Sequence, residues 1–214
     1  MPMYITKFCA KLQLFLRNKE NFCNFVHMNM DKRQLRKHIA ALKASHTPSS
    51  LRQESERIIE HILTMQRVMQ ADCILLYWSL PDEVYTHELI DALASKGKTV
   101  ILPKVCGETE LSLHPYTSRT DLQRGAFGIM EPRTPALTAE EAEALLTSDS
   151  VGIIPGVAFS NDGYRLGRGK GYYDRLLASY PTLYKIGLCY DFQMVQSIPH
   201  DEHDIRMDEV VWQA

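Results

Sequence analysis

Residues 155–177 read PGVAFSNDGYRLGRGKGYYDRLL, and this stretch concentrates the groups that could do chemistry. Gly167, Gly169 and Gly171 alternate with Arg168 and Lys170, behind Arg165 and just ahead of a helical pattern. Glycine lets backbone N–H groups approach an anion closely, and a helix amino terminus adds partial positive charge. With Arg165, Arg168 and Lys170 as charged donors, the pattern reads as a phosphate cradle. A Gly-rich turn with a solvated basic rim has the same composition. Asp174, one turn into the helix, is placed to bind a hard cation such as Mg²⁺ that bridges phosphates. The spacing matches neither G-x-x-x-x-G-K-[ST] nor G-x-G-x-x-G, so the common nucleotide signatures do not apply. Tyr172 and Tyr173 could stack on a ring, but one of two successive helical tyrosines is expected to face the core.

Other polar groups are weaker signals. Lys32 and Arg36 lie one turn apart beside Arg33 and Lys37, which by itself describes a solvated basic helix face. Asp82 and Glu83 follow Pro81 on a loop, and Asp208 reads as a surface acid. His200-Asp-Glu-His203-Asp204, after Pro199, packs possible metal ligands together but lacks the helical H-E-x-x-H arrangement; it reads as a solvated acidic turn.

The elements that must position these groups alternate. Asp31 can cap a helix to about Ser45, and Thr47-Pro48 opens a second, to about Met69. The apolar run Cys73–Trp78 reads as a strand buried on both faces, where Trp78 fits a core role. Thr86 is a cap for a helix stopping at Gly97, and Thr99–Leu102 is the next strand. Leu111–Tyr116 alternates as a half-exposed antiparallel strand does, 117–137 looks irregular, and Thr138-x-x-Glu141 is a capping box. Strands over Ser150–Ile154, Tyr184–Tyr190 and Glu209–Trp212 follow, with a helix from about Gly169 to Ser179. This order predicts a three-layer α/β/α fold with a mostly parallel, Rossmann-like open sheet and helices on both faces. Ligands in such sheets bind outside the carboxyl ends of strands near a topological switch, where Pro81-Asp82-Glu83 and the glycine stretch both fall.

The whole chain sets limits on function. At 214 residues, 45% hydrophobic and 23% charged, it can bury a full core and is not a disordered sequence. Its 24 Lys+Arg against 26 Asp+Glu give −2, with no global footprint for nucleic acid. Lys7, Lys11, Arg17 and Lys19 against Glu20 make residues 1–29 +3, which leaves −5 for residues 30–214. The first 29 residues are therefore expected to be an amino-terminal extension outside the fold, with Met28 or Met30 as the natural start. Five cysteines without C-x-x-C spacing fit neither a disulfide framework nor a zinc site, and a reducing cytoplasm suits them. No apolar run is long enough for a transmembrane helix. Cys73 and Cys189 are expected core thiols.

The glycine segment resembles the signature of the 5-formyltetrahydrofolate cyclo-ligase (methenyltetrahydrofolate synthetase) family: P-G-x-x-F, then R-L-G-x-G-x-G-Y-Y-D and an apolar helix. Lys32-Arg33-Gln34-Leu35-Arg36 resembles the family's K-R-x-x-R element, and Pro81-Asp82-Glu83 its D-E segment. Gly128-Ile129-Met130-Glu131-Pro132 resembles its G-I-x-E-P turn, and Met207-Asp208-Glu209-Val210 its closing D-E-V. The resemblance spans roughly residues 30–212 and implies a single catalytic domain over 30–214. It implies that MgATP and 5-formyltetrahydrofolate give 5,10-methenyltetrahydrofolate, ADP and phosphate through a phosphorylated formyl group.

Carried over residue by residue, the resemblance assigns Lys32, Arg36, Arg165, Leu166, the Gly167–Gly171 stretch, Tyr172 and Tyr173 to ATP. Arg168 and Lys170 fall nearest the transferred group, with Lys170 stabilising the transition state. Mg²⁺ falls to Asp174 and Asp208. Folate falls to Glu83, as acceptor from the pterin, and to Trp78 and Tyr172. The Glu131 turn is read as structural. The implied partners are these small molecules, with no nucleic acid or membrane, in a monomer or weak homo-oligomer. An ATP-dependent enzyme acting on another formamide, a non-enzymatic folate or nucleotide binder and a sugar-phosphate isomerase are the rival readings.

Overall fold

The computed structural model describes residues 30–125, 128 and 130–212, so the extension expected at residues 1–29 lies outside the described residues. Local capping sets the first helices. Asp31 accepts from the Gln34 N–H at 2.7 Å while the Gln34 side chain accepts from Asp31 N–H, and α1 (Lys32–Lys43) follows. Thr47 caps α2 (Pro48–Ile62), with Pro48 in its first turn. The helix expected to reach Met69 stops early. Thr64 donates both its backbone N–H and its hydroxyl to the His61 carbonyl, closing a turn before the short α3 (Gln66–Gln70).

Strand β1 (Cys73–Leu75) is shorter than its apolar run, because the Tyr77 carbonyl accepts from the Thr86 hydroxyl at 2.6 Å instead of from a strand neighbour. Thr86 is thereby diverted from the expected side-chain cap of α4 (His87–Ser95). β2 (Thr99–Val105) runs parallel to β1, and β3 (Leu111–Pro115) returns antiparallel to β2. The stretch expected to be irregular holds a small hairpin, β4 (Leu122–Arg124) and β5 (Met130–Pro132). The capping box at Thr138 and Glu141 opens α5 (Ala139–Leu145) as expected.

The second half supplies β6 (Val151–Pro155), β7 (Ala158–Ser160), β8 (Arg165–Leu166), α6 (Tyr172–Ser179), β9 (Tyr184–Leu188), β10 (Met194–Val195) and β11 (Glu209–Val211). The main sheet has the order β11-β9-β6-β1-β2-β3, parallel except for β3. A separate small sheet, β10-β7-β8, was not visible in the sequence pattern.

The two-residue period of β1 divides the core. Ile74 and Leu76 pack with α2 and α4, while Cys73 and Leu75 pack with α5 and α6 on the other face. A third cluster joins Leu35 and Ile39 of α1 to Ala158 and Leu166. The three-layer arrangement read from the sequence is the one observed. Because β2 extends from one side of β1 and β6 from the other, the connections reverse direction between β1 and β6, and a crevice opens at their carboxyl ends. Cys73 and Cys189 are both buried, and burial pushes the Cys73 thiol up to about 12.

At the start of α4, His87 stacks on Trp78 with ring centroids 3.8 Å apart, and burial lowers its pKa from 6.5 to about 4. The unfolded chain therefore binds the proton more readily than the native one. The associated stability is fully present above pH 6.5 and is lost as pH falls from 6.5 toward 4. Chemical denaturation across this window should show stability dropping with acid in the parent chain and a shallower slope in His87→Gln.

Candidate active site

The crevice holds a cavity of about 940 Å³ whose lining is of two kinds, cationic and apolar. The cations come from α1 and the glycine loop. Arg36 of α1 donates through Nε to the Gly167 carbonyl at 2.8 Å, which brings the first helix against the glycine loop. Gly169, at φ 100°, and Gly171, at φ 67° where it caps α6, take up left-handed backbone that other residues rarely adopt. Arg165 of β8 is 5% exposed; its Nη2 lies 2.9 Å from Asp174 Oδ1, and its Nη1 donates to the Pro155 carbonyl at 3.4 Å. Its Nε is buried with no hydrogen-bond partner among the described residues. A buried orphan donor in a cationic cavity suits an anion.

Most of these cations already have partners. Lys32 is bonded to Asp204 and lies 3.4 Å from Asp201. Arg168 reaches across the crevice to Asp82 at 2.8 Å and Glu83 at 3.0 Å. Burial alone would raise the Asp82 carboxyl, but Lys43, 2.9 Å away, and then Arg168 together hold it below the usual range. Arg175 forks between the Lys170 carbonyl at 2.6 Å and the Thr109 carbonyl at 2.8 Å, and Tyr172 donates to the Gly107 carbonyl at 3.0 Å. The turn between β2 and β3 is thus strapped to the glycine loop. Among the described cations lining the cavity, Lys170 alone has a side chain that makes no hydrogen bond or ion pair.

The rest of the lining is largely apolar and aromatic. It includes Trp78, Pro103, Val105, Leu111 and Tyr173, with Glu83 and Glu131 among the cavity's acids. Trp78 packs partly against the core, as one reading of it expected, and also lines the cavity. Tyr173 is the tyrosine that faces the core, and burial raises its hydroxyl pKa strongly. Glu83 is present as expected, with Oε2 accepting from the Leu80 N–H at 3.0 Å and Oε1 held by Arg168. Leu166 is 1% exposed, its side chain in the core beneath α1, so any contact it makes with a ligand must come from its backbone.

Two expectations are corrected. Asp208 does not join Asp174. It precedes β11, which runs parallel to β9, so it lies at the amino edge of the sheet while the cavity opens at the carboxyl edge. There it accepts from the Lys185 N–H at 2.7 Å and sits 3.1 Å from Lys185 Nζ. The acidic turn after Pro199 is not merely solvated either: Asp201 and Asp204 fold onto the cavity and meet Lys32. Sequence reasoning missed Asp204. Its signal was five polar residues on a loop, which a long-range contact alone could turn into a site. Among the described residues no three His, Cys, Asp or Glu side chains form a metal-binding group.

Comparisons agree with this geometry. The model of the 5-formyltetrahydrofolate cyclo-ligase family matches residues 28–213. A 5-formyltetrahydrofolate cyclo-ligase of Haemophilus influenzae is 31% identical over 200 residues, covering 86% of this chain and 99% of that protein. One from Mus musculus is 30% identical, covering 88% and 96%. The solved structure of Aquifex aeolicus 5,10-methenyltetrahydrofolate synthetase superposes with a TM-score of 0.72 at 36% identity, covering 85% of this chain and 89% of that one. With its signature glycine loop, its sheet order and its full-length match to these relatives, the chain belongs to the 5-formyltetrahydrofolate cyclo-ligase family and is a ligase.

Proposed function

We propose that this enzyme cyclises 5-formyltetrahydrofolate to 5,10-methenyltetrahydrofolate at the expense of ATP, releasing ADP and phosphate, with Mg²⁺ required. The observation that carries this reading is one cavity lined both by the cationic glycine loop and by apolar and aromatic side chains, with Glu83 among them. A triphosphate suits the cations and a pterin the apolar and aromatic surfaces. The formyl oxygen is a poor leaving group until phosphorylated. Its attack on the γ-phosphorus expels ADP and gives an iminium phosphate. N10 then attacks the iminium carbon and loses its proton, and phosphate departs with the former formyl oxygen.

The chain's own residues position and neutralise. Arg165, Arg36, Lys32 and the loop amides hold the triphosphate. Lys170, which has no partner to give up, stabilises charge on the moving phosphoryl group. Arg168 exchanges Asp82 and Glu83 for phosphate oxygens, which frees Glu83 to accept from the pterin between Trp78 and Tyr172. Arg165 holds Oδ1 of Asp174, whose Oδ2 has no partner among the described residues, and Asp204 also lines the cavity. These two carboxylates suit Mg²⁺, which takes one or two protein carboxylates and otherwise water and phosphate oxygens. When bound, it would offset triphosphate charge.

The test follows the near-ultraviolet absorbance of the methenyl product with 5-formyltetrahydrofolate, ATP and Mg²⁺. Absence of product at every magnesium concentration overturns the reading, and product without ATP overturns the mechanism. Lys170→Ala should lower kcat by on the order of 10²- to 10³-fold with little change in folate KM. If only KM rises, Lys170 binds substrate and does not stabilise the transition state. Asp204→Asn should raise the Mg²⁺ concentration for half-maximal rate about tenfold or more, as losing a charged ligand demands, and Asp208→Asn should leave it unchanged. Equal effects from both would return Asp208 to the site.

A further inference from the structure

We infer that Glu131 is the residue that selects the donor edge of the pterin, an inference that rests on the cyclo-ligase reading above. Glu131 lies on β5 opposite Gln123 and is 5% exposed, yet it is one of the residues lining the cavity. Among the described residues its carboxylate has no hydrogen-bond donor and no cation as partner. The hairpin that carries it packs across β2, where Lys104 Nζ donates to the neighbouring Pro132 carbonyl at 3.5 Å. The fold makes room for the group: a Cβ at Gly125 would collide with the Glu131 carboxylate, so only glycine there leaves the carboxylate its present place.

A residue this buried whose carboxylate keeps some access to the cavity and has no donor among the described residues is suited to take donors from a ligand. Pro103, Val105 and Leu111, which line the same cavity, supply none from their side chains. A ligand that suits these residues is flat, apolar on its faces and bears N–H donors on its edge. The 2-amino group and N3–H of a pterin form such an edge, and a carboxylate can accept from both in parallel. Glu83 is differently disposed, since its two oxygens are already taken by the Leu80 N–H and Arg168. Glu131 needs no side chain to leave before it can bind. Its charge also opposes a triphosphate beside it, which favours the pterin there.

The experiment compares 5-formyltetrahydrofolate with its 2-desamino analogue in steady-state turnover by the full chain and by Glu131→Ala and Glu131→Gln. The parent enzyme should prefer the natural substrate, and Glu131→Ala should lose about 10- to 150-fold in kcat/KM for it, as expected for charged hydrogen bonds. The loss should appear in folate KM, with ATP KM unchanged, and Glu131→Ala should no longer distinguish the analogue. Glu131→Gln, which keeps one acceptor oxygen, should fall between. A variant that is merely misfolded loses active enzyme for both substrates and keeps the preference. If Glu131→Ala retains the preference and the folate KM, the inference is wrong while the cyclo-ligase reading stands on the parent's turnover. If the parent itself forms no methenyl product, that reading fails and the inference falls with it.

Discussion

The contact on which the site depends is the buried pair between Arg165 and Asp174. One partner ends the small sheet and the other lies in the first turn of α6, and the 2.9 Å contact closes the intervening residues into a loop of fixed span. The Arg165 side chain is 3% exposed, so its charge could not be tolerated there without Asp174 and the Pro155 carbonyl. Those partners tie the loop to the carboxyl end of β6, at the position where the sheet changes direction. The left-handed turns at Gly169 and Gly171 then only have to fill a gap whose ends are already set.

Much of this was legible wherever the determining interaction is local. The cap at Asp31, the capping box at Thr138 and the Thr47-Pro48 start each lie within four successive residues, and all three helices begin where those signals stand. The layer order and the glycine loop were legible for the same reason. The helix break at Thr64 and the diversion of Thr86 depend on side chains choosing one carbonyl over another, which periodicity does not record. The small sheet escaped notice because its strands are two or three residues long and one pairing joins distant segments.

The acids show the limit most clearly. Asp204 and Asp208 are four residues apart, in equally polar surroundings. The direction of β11 places Asp208 at the wrong edge of the sheet, while Lys32, 172 residues away, holds Asp204 on the cavity. Glu131 was read as part of a turn, but it lies in β5, paired with β4. The carboxylate's burial beside the cavity depends on β5 crossing β2, which no local pattern contains. The near-neutral charge of the chain has its counterpart here: Lys32 and Arg168 are neutralised in advance by neighbouring acids, so ligands must exchange partners with them rather than meet bare charge.

The strap at Arg175 and Tyr172 makes an ordinary-looking surface turn part of the machinery. Connections between antiparallel strands usually accept insertions and deletions freely. Here the carbonyls of Gly107 and Thr109 are bound to α6, and the same guanidinium that holds Thr109 holds the Lys170 carbonyl. The length of the β2–β3 turn therefore acts as a gauge for the height of the lysine above the crevice. Divergence among related enzymes should be constrained at this turn in residue count more than in residue type, because only its backbone oxygens are read.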